Sequence, residues 1–186
     1  MPVDPRLPPL LPSPGSLTTV PGLRVGHASD PKGATGFTVV LCEQGAVCGL
    51  DLRGGASSLR NPTVALPGHL VEKVDAVFFT GGSAFGLDAA AGVMRYLEGR
   101  RIGFPVRGSR VPIVTGAVLF DLAVGDPRRR PDPAMAYRAC RGARASRREN
   151  VPYRARGSDA AHLAIASNLH ASQHAPHLMH FVSSIT

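Results

Sequence analysis

Apolar runs of strand length, separated by glycine-rich turns, follow one another from Leu17 to about Arg138. Residues 35–53 contain two β-rich runs on either side of residues 43–45, and this pattern predicts a hairpin. Residues 74–79 form a mostly continuous apolar run, which is typical of a strand covered on both faces. We therefore expect residues 74–79 to be a central strand.

The segment after the turn at residues 80–83 has the periodicity of an amphipathic helix. The apolar stripe of this helix comprises Phe85, Ala89, Ala90, Val93 and Leu97. Ser83 is suited to cap the start of the helix, and Gly99 is suited to end it.

Two further elements complete the predicted folded segment. Residues 111–122 contain a second apolar run and predict at least one more strand. Asp132, followed by Pro133, predicts the start of a short helix that reaches Cys140.

The composition fits one globular domain. The chain has 186 residues, of which 44% are hydrophobic and 18% are charged, an ordinary balance for a single core. No apolar stretch reaches the ~20 residues of a membrane helix. Residues 1–16 form a proline-rich leader that does not suit a secretory signal, so we expect a cytoplasmic protein. Three cysteines without a C-x-x-C pair favour reduced, buried thiols over disulfides or structural zinc.

Residues 141–186 differ in character from the predicted domain at residues 17–140. They hold six arginines, no lysine and five of the seven histidines. Their only helical candidate, at about residues 158–173, has a weak apolar stripe. We therefore expect a basic, histidine-rich tail that packs poorly and is disordered.

The Gly81-Gly82 turn is the first candidate site. A strand, two glycines and a helix can bring backbone N–H groups to an anion, as in a non-enzymatic module that binds an anionic metabolite. The spacing matches neither G-x-G-x-x-G nor G-K-[ST], which favours a structural role for the turn. Ser83 lacks the final glycine of a G-x-S-x-G nucleophile elbow. Structural and anion-binding interpretations both stay open.

Histidines and arginines raise the possibilities of a metal site and of nucleic-acid binding. The histidines spaced as on one helical face are His170, His174 and His177. Pro176 interrupts that helix and no carboxylate or cysteine is close in sequence, so we predict no metal site. Arginines at residues 128–130 and in the tail could neutralise phosphates, but with few aromatics nearby a solvated basic surface is favoured. His27 is predicted to be a hydrogen-bonded structural residue.

Five segments together resemble one protein family in order and spacing. They are LRVGHA at residues 23–28, TGFTVV at 35–40, DLRGGA at 51–56, TGGSAFGL at 80–87 and VLFDLAVGD at 118–126. The family is that of the self-processing aminopeptidases, which includes D-/L-aminopeptidase/esterases, β-peptidyl aminopeptidases and nylon-oligomer hydrolases. The resemblance implies an α+β fold that is part of an αββα sandwich, with Ntn-hydrolase-like chemistry. It also implies short peptides, amides or esters as substrates, a homo-oligomer and no cofactor.

The resemblance also implies which catalytic groups are absent. The family nucleophile is a Ser or Thr freed by self-cleavage, whose own α-amine acts as base, and it lies downstream of the matched segments. The family's lysine and oxyanion-stabilising asparagine have no counterpart here, and Phe120 stands where the nylon-hydrolase branch has a tyrosine. We therefore predict no catalytic residue in this chain. The predicted substrate-binding residues are Gly81, Gly82, Ser83 and Phe120.

The change of pattern after Cys140 suggests that residues 141–186 come from a truncated gene or a shifted reading frame. On this hypothesis the 186 residues are inactive by themselves. A sheet without its later strands would leave backbone edges unpaired, which favours oligomerisation or aggregation.

Overall fold

A mixed β-sheet with two helices on one face makes up most of the computed structural model, which describes residues 17–52, 57–66, 68–145, 161–166 and 180–185. The strands are β1 (Arg24–Asp30), β2 (Thr35–Asp51), β3 (Leu59–Arg60), β4 (Lys73–Thr80), β5 (Phe104–Val106), β6 (Ser109–Val111), β7 (Val114–Val118), β8 (Ala161–Ala166) and β9 (His180–Ile185). The helices are α1 (Ala90–Glu98) and α2 (Pro133–Gly142), and single 3₁₀ turns occupy Leu17–Thr19, Pro62–Ala65 and Ser83–Ala89.

The strand order of the main sheet is β3-β7-β4-β2-β9-β8, and β1 also pairs with β2. Strands β4 and β7 are parallel, whereas β2 is antiparallel to both β1 and β4. Strands β5 and β6 form a separate hairpin. The prediction of a central strand is confirmed, because β4 lies between β2 and β7 with Val74, Ala76 and Phe78 fully buried.

The predicted hairpin at residues 43–45 is wrong. Strand β2 is continuous, and its pairing with β4 shifts at a bulge between Leu41 and Ala46. Gly45 adopts a φ of 79° within this bulge, a left-handed value that suits glycine. The polar residue Glu43 stays in the strand because the Arg24 side chain of β1 binds it.

The start of the first helix also differs from the prediction. A 3₁₀ turn, Ser83–Ala89, precedes α1, and the residue that caps this turn is Gly82, without a side-chain hydrogen bond. Ser83 is therefore not the cap. Phe85 leaves the predicted buried stripe and is 55% exposed, because the α-helical period does not hold through the 3₁₀ turn. The predicted end is confirmed, since Gly99 follows the last residue of α1.

The helix α2 begins as predicted and packs on the sheet. The Asp132 carboxylate accepts a hydrogen bond from the Met135 amide (2.7 Å), and Pro133 occupies the first turn. A Cβ at Gly26 would meet the Ala139 carbonyl of α2, so only glycine lets this helix lie so close to β1. The core residues on this face of the sheet include Phe37, Val39, Leu41, Phe78, Val93, Leu97 and Ala136.

The opposite face of the sheet is less completely covered. Because side chains alternate along a strand, Val25, Thr38 and Val40 point away from the helices. Among the described residues they line an open groove of about 510 Å³ together with Phe79 and His27. The His27 imidazole is hydrogen-bonded to the Thr38 hydroxyl (2.9 Å), in agreement with the predicted structural role.

The folded unit continues beyond residue 140. Helix α2 runs to Gly142, and the backbone of Arg144 pairs with Val25 through two hydrogen bonds of 3.0 Å. Residues 161–166 form β8, so the predicted helix at residues 158–173 is wrong there. Strand β8 pairs with β9, and β9 pairs with the last residues of β2. Residues 1–16 and the predicted histidine cluster His170, His174 and His177 lie outside the described residues.

All three cysteines are free and buried, as predicted. Burial raises the pKa of Cys42 and of Cys140 to about 12 and that of Cys48 to about 11. Each thiol is therefore protonated at neutral pH. No helix among the described residues is long and apolar enough to cross a bilayer.

Candidate active site

The turn at residues 80–83 and the segment that follows β7 are joined at one edge of the sheet. Because β4 and β7 are parallel, both strands end at this edge. The Leu119 amide donates to the Thr80 carbonyl (2.8 Å), and the Ser83 amide donates to the Leu119 carbonyl (3.0 Å). These two hydrogen bonds fix the position of the turn relative to Phe120, the next residue along the chain.

The Asp121 carboxylate connects this edge to the start of β2. One oxygen, Oδ2, accepts a hydrogen bond from the Thr35 hydroxyl (2.6 Å), and the other, Oδ1, accepts one from the Gly82 amide (2.7 Å). A Cβ at Gly81 would meet both Asp121 Oδ2 and the Thr35 hydroxyl, so only glycine fits between them. We call Thr35, Gly81, Gly82 and Asp121 the Asp121 cluster.

The backbone of the turn is bent into the left-handed region at two successive residues. Gly82 has a φ of 82° and Ser83 a φ of 54°. Glycine adopts this conformation without steric cost, whereas a serine in it is held there by its surroundings. For Ser83 the hydrogen bond from its amide to Leu119 supplies part of that restraint.

The hydrogen bonds of the turn contradict its interpretation as an anion cradle. The Gly81 amide donates to the Gly36 carbonyl (2.9 Å), the Gly82 amide to Asp121 and the Ser83 amide to Leu119. All three N–H groups therefore have acceptors inside the protein and do not face a ligand. The structural interpretation of the two glycines is the one that these contacts support.

The predicted substrate-binding residues meet at this edge but differ in exposure. Gly81 and Gly82 are buried, and Ser83 is half-buried. Phe120 is 76% exposed, and its neighbour Leu119 is also exposed. Gly81 and Gly82 thus hold the turn in place, while Ser83 and Phe120 are accessible from outside.

The three consecutive arginines at residues 128–130 have different environments. Arg128 pairs with Asp126 (3.1 Å) and Arg129 pairs with Asp30 (2.8 Å). The hydrogen bonds from these arginines hold the pKa values of Asp126 and Asp30 below the usual range. Arg130 is half-buried and stacks on the Phe85 ring. Among the described residues no group of three His, Cys, Asp or Glu side chains could hold a metal ion.

One known protein family matches most of the chain, including the segments described above. The model of peptidase family S58 matches residues 15–158. The chain belongs to this family. The match extends past residue 140, where the domain predicted from the sequence ends. The predicted resemblance to the self-processing aminopeptidases is confirmed.

Relatives of this S58 chain include an uncharacterised aminopeptidase and a 6-aminohexanoate-oligomer endohydrolase. An uncharacterised aminopeptidase from Mycobacterium leprae is 46% identical over 136 residues, which are 69% of this chain and 38% of the relative. A 6-aminohexanoate-oligomer endohydrolase from Kocuria sp. is 34% identical over 122 residues, 64% of this chain and 31% of that enzyme. The chain thus spans between three and four tenths of the length of these relatives.

A solved structure supports the fold of this S58 chain. The L-aminopeptidase D-Ala-esterase/amidase from Ochrobactrum anthropi, described as a variant of the Ntn hydrolase fold, superimposes with a TM-score of 0.54 at 17% identity. The superposition covers 69% of this chain and 40% of the other. The predicted fold class is confirmed: the sheet and its two helices form one α layer and one β layer of an Ntn-hydrolase-like fold.

Sequence reasoning did not single out Asp121 or Thr35. Both lie in segments that carry the family resemblance, yet their side chains meet across 86 positions of the chain. The signal available in the sequence was an acidic residue placed directly after an apolar run. A carboxylate in that position is a good acceptor for the backbone amides of a tight turn.

Proposed function

We propose that this chain supplies the cleft wall of an aminopeptidase that acts on the amino end of short peptides, amides or esters. The observation that carries this proposal is membership of peptidase family S58 over residues 15–158. This range includes residues 80–83 and 119–121, the two neighbouring segments that we call the cleft edge. The Asp121 cluster supports it, because it fixes Ser83 and Phe120 on neighbouring segments. Phe120 presents an exposed apolar ring that a substrate side chain can contact.

We also propose that the nucleophile belongs to a segment that these 186 residues do not contain. The chain spans about two fifths of the relative from Mycobacterium leprae. The groove on the sheet face opposite the helices, lined by Val25, Val40 and Phe79, offers an apolar surface for the second sheet of an αββα sandwich. On this proposal a Ser or Thr freed by self-cleavage would attack the amide, with its own α-amine as base.

The test compares the chain alone with a complemented form. The chain is purified with and without co-expression of the part of the Mycobacterium leprae relative that it does not span, and both samples are assayed on alanine p-nitroanilide. We expect nitroaniline release only from the complemented sample, and loss of that release when the Ser or Thr at the cleavage position is replaced by Ala. Turnover by the chain alone would show that the catalytic group lies within these 186 residues.

A second assay tests the role of Phe120. In the complemented enzyme, Phe120→Ala should lower kcat/KM for substrates with an apolar side chain by roughly tenfold, because the ring no longer covers that side chain. Leu70→Ala is the matched control, since Leu70 is 87% exposed and lies outside the cleft edge. Equal changes of kcat/KM in the two variants would show that Phe120 does not contact the substrate.

A further inference from the structure

Arg130 differs from the two arginines before it. Arg128 and Arg129 each have a carboxylate partner and are exposed, whereas Arg130 has no carboxylate partner among the described residues and is half-buried. An arginine held partly out of water without a counter-ion keeps a strong preference for an anionic ligand.

The guanidinium of Arg130 is fixed in one orientation. Its central carbon lies 3.7 Å from the centroid of the Phe85 ring, and its Nε donates to the Pro127 carbonyl (2.7 Å). Stacking and this hydrogen bond restrict the plane of the group, but they use only one of its five N–H donors. Both Nη groups, with four donors, have no acceptor within the described part of the chain.

Arg130 is also placed at the proposed cleft. A Cβ at Gly82 would lie 3.3 Å from the Arg130 Cβ, so this arginine starts directly beside the turn. Phe85, on which it stacks, belongs to the 3₁₀ turn that begins at Ser83. The turn is therefore joined to the segment of Phe120 through Leu119 and lies beside Arg130 at Gly82 and Phe85.

We infer that Arg130 is a specificity-determining residue that binds the free α-carboxylate of a short peptide through its two Nη groups. This inference rests on the proposed function, since it deepens the choice of substrate. A carboxylate matches the planar pair of Nη donors, and the stacked guanidinium loses little freedom on binding it. The substrate class is then dipeptides and other short peptides whose carboxylate lies close to the scissile bond, in preference to their amides.

The inference is tested by binding, without any need for hydrolysis. The full chain, labelled with ¹⁵N, is titrated with alanyl-alanine and with alanyl-alanine amide at equal ionic strength, and the Arg130 Nε–H and Phe85 amide signals are followed. We expect saturable shifts of both signals and a dissociation constant about tenfold lower for the dipeptide than for its amide. Arg130→Gln should abolish this difference, whereas Arg128→Gln, which removes the same charge from the same loop, should leave it intact.

The measurement on the unaltered chain stands even if Arg130→Gln does not fold. Equal dissociation constants for the dipeptide and the amide, or no shift at Arg130, would overturn the inference, and so would retained discrimination in a folded Arg130→Gln variant. None of these results bears on turnover by the complemented enzyme. Conversely, discrimination at Arg130 without turnover after complementation would leave the carboxylate site standing and contradict the proposed function.

Discussion

Two carboxylates tie strand β2 to distant parts of the chain, and they do so with different partners. Asp121 accepts one hydrogen bond from the Thr35 hydroxyl at the start of the strand and another from the Gly82 amide in the turn after β4. Glu43, in the bulge, binds Arg24 (3.1 Å) and Arg100 (3.3 Å). The Asp121 cluster uses short, directional donors, whereas the Glu43 cluster, which we define as Arg24, Glu43, Tyr96 and Arg100, uses long cationic side chains.

The partners decide what each cluster can control. In the Glu43 cluster Arg24 also donates to the Ala143 carbonyl (2.7 Å) and to the Tyr96 hydroxyl (3.4 Å), so it fastens the ends of both helices to the sheet. Its ion pairs are partly exposed, which limits their contribution to stability. The Asp121 cluster instead holds the backbone turn at residues 80–83 through hydrogen bonds from a hydroxyl and a backbone amide, which depend on distance and angle. The proposed cleft edge is thus positioned by directional hydrogen bonds, and the helical layer is held to the sheet by charged groups.

The largest effect is expected from Gly81→Ala. The new Cβ would displace Asp121 or Thr35 and break both hydrogen bonds of the cluster, which should lower the free energy of unfolding by about 3 kcal/mol. Urea denaturation measures this change. Gly142→Ala is the control, because nothing lies within 4 Å of a Cβ there. Since alanine is favoured over glycine in a helix, this variant should leave the free energy of unfolding unchanged or raise it by up to about 1 kcal/mol. Similar costs for the two variants would mean that the close fit around Gly81 is not required.

A smaller loss is expected from Asp121→Ala. The Gly82 amide lies in a buried residue and would lose its acceptor, at a cost of about 2 kcal/mol. Hydrogen exchange at Gly82 should accelerate, which localises the effect to the turn. Asp126→Ala removes a carboxylate that binds Arg128 of its own loop, and it should leave Gly82 exchange unchanged. Unchanged hydrogen exchange at Gly82 in Asp121→Ala would show that Asp121 does not stabilise the turn.

Glu43→Ala should cost less, about 1 kcal/mol, because its two ion pairs are partly exposed. This cost should fall by roughly half when NaCl is raised from about 0.05 M to about 1 M, since salt screens exposed charges. The cost of Asp121→Ala, which breaks bonds to uncharged donors, should respond much less. Denaturation of both variants at both salt concentrations makes the comparison; equal salt responses would show that the two clusters do not differ in kind.

Local signals predicted those parts of the fold that depend on neighbouring residues. The Asp132 cap and Pro133 lie within one turn of the amide that the cap binds, so sequence alone identified the start of α2. The apolar run of β4 likewise predicted burial on both faces, whichever strands pair with it.

Features with distant partners could not be predicted in the same way. A polar segment at residues 43–45 has the composition of a turn, but in the strand the Glu43 carboxylate pairs with Arg24 and Arg100, which are distant in sequence. Phe85 fits an apolar helical stripe until the 3₁₀ turn and Arg130 place its ring at the surface. The motifs of the family resemblance include residues 80–83 and 119–121 of the proposed cleft, but the contacts of Asp121 depend on the folded position of Thr35.

The smallest effect concerns a third carboxylate, Asp75, which forms no ion pair within the described part of the chain. It accepts one hydrogen bond, from the Ile113 amide (2.7 Å), and burial raises its pKa above the ordinary value of 3.8. The folded state therefore keeps the proton to higher pH than the unfolded state does. Asp75 thus reduces stability as pH rises from about the unfolded value through the raised folded value.

Asp75→Asn removes this titration while keeping an acceptor for the Ile113 amide. The stability of the variant relative to the unaltered protein should therefore increase between pH 3 and pH 7, as urea denaturation at several pH values would measure. Asp126→Asn is the control of opposite sign: the hydrogen bond from Arg128 lowers the pKa of Asp126, so that carboxylate stabilises the fold above its unfolded pKa, and its loss should be felt more as pH rises. If the relative stability of both variants changes in the same direction with pH, burial does not determine the pKa of Asp75, and its carboxylate stabilises the fold as the ion-paired carboxylates do.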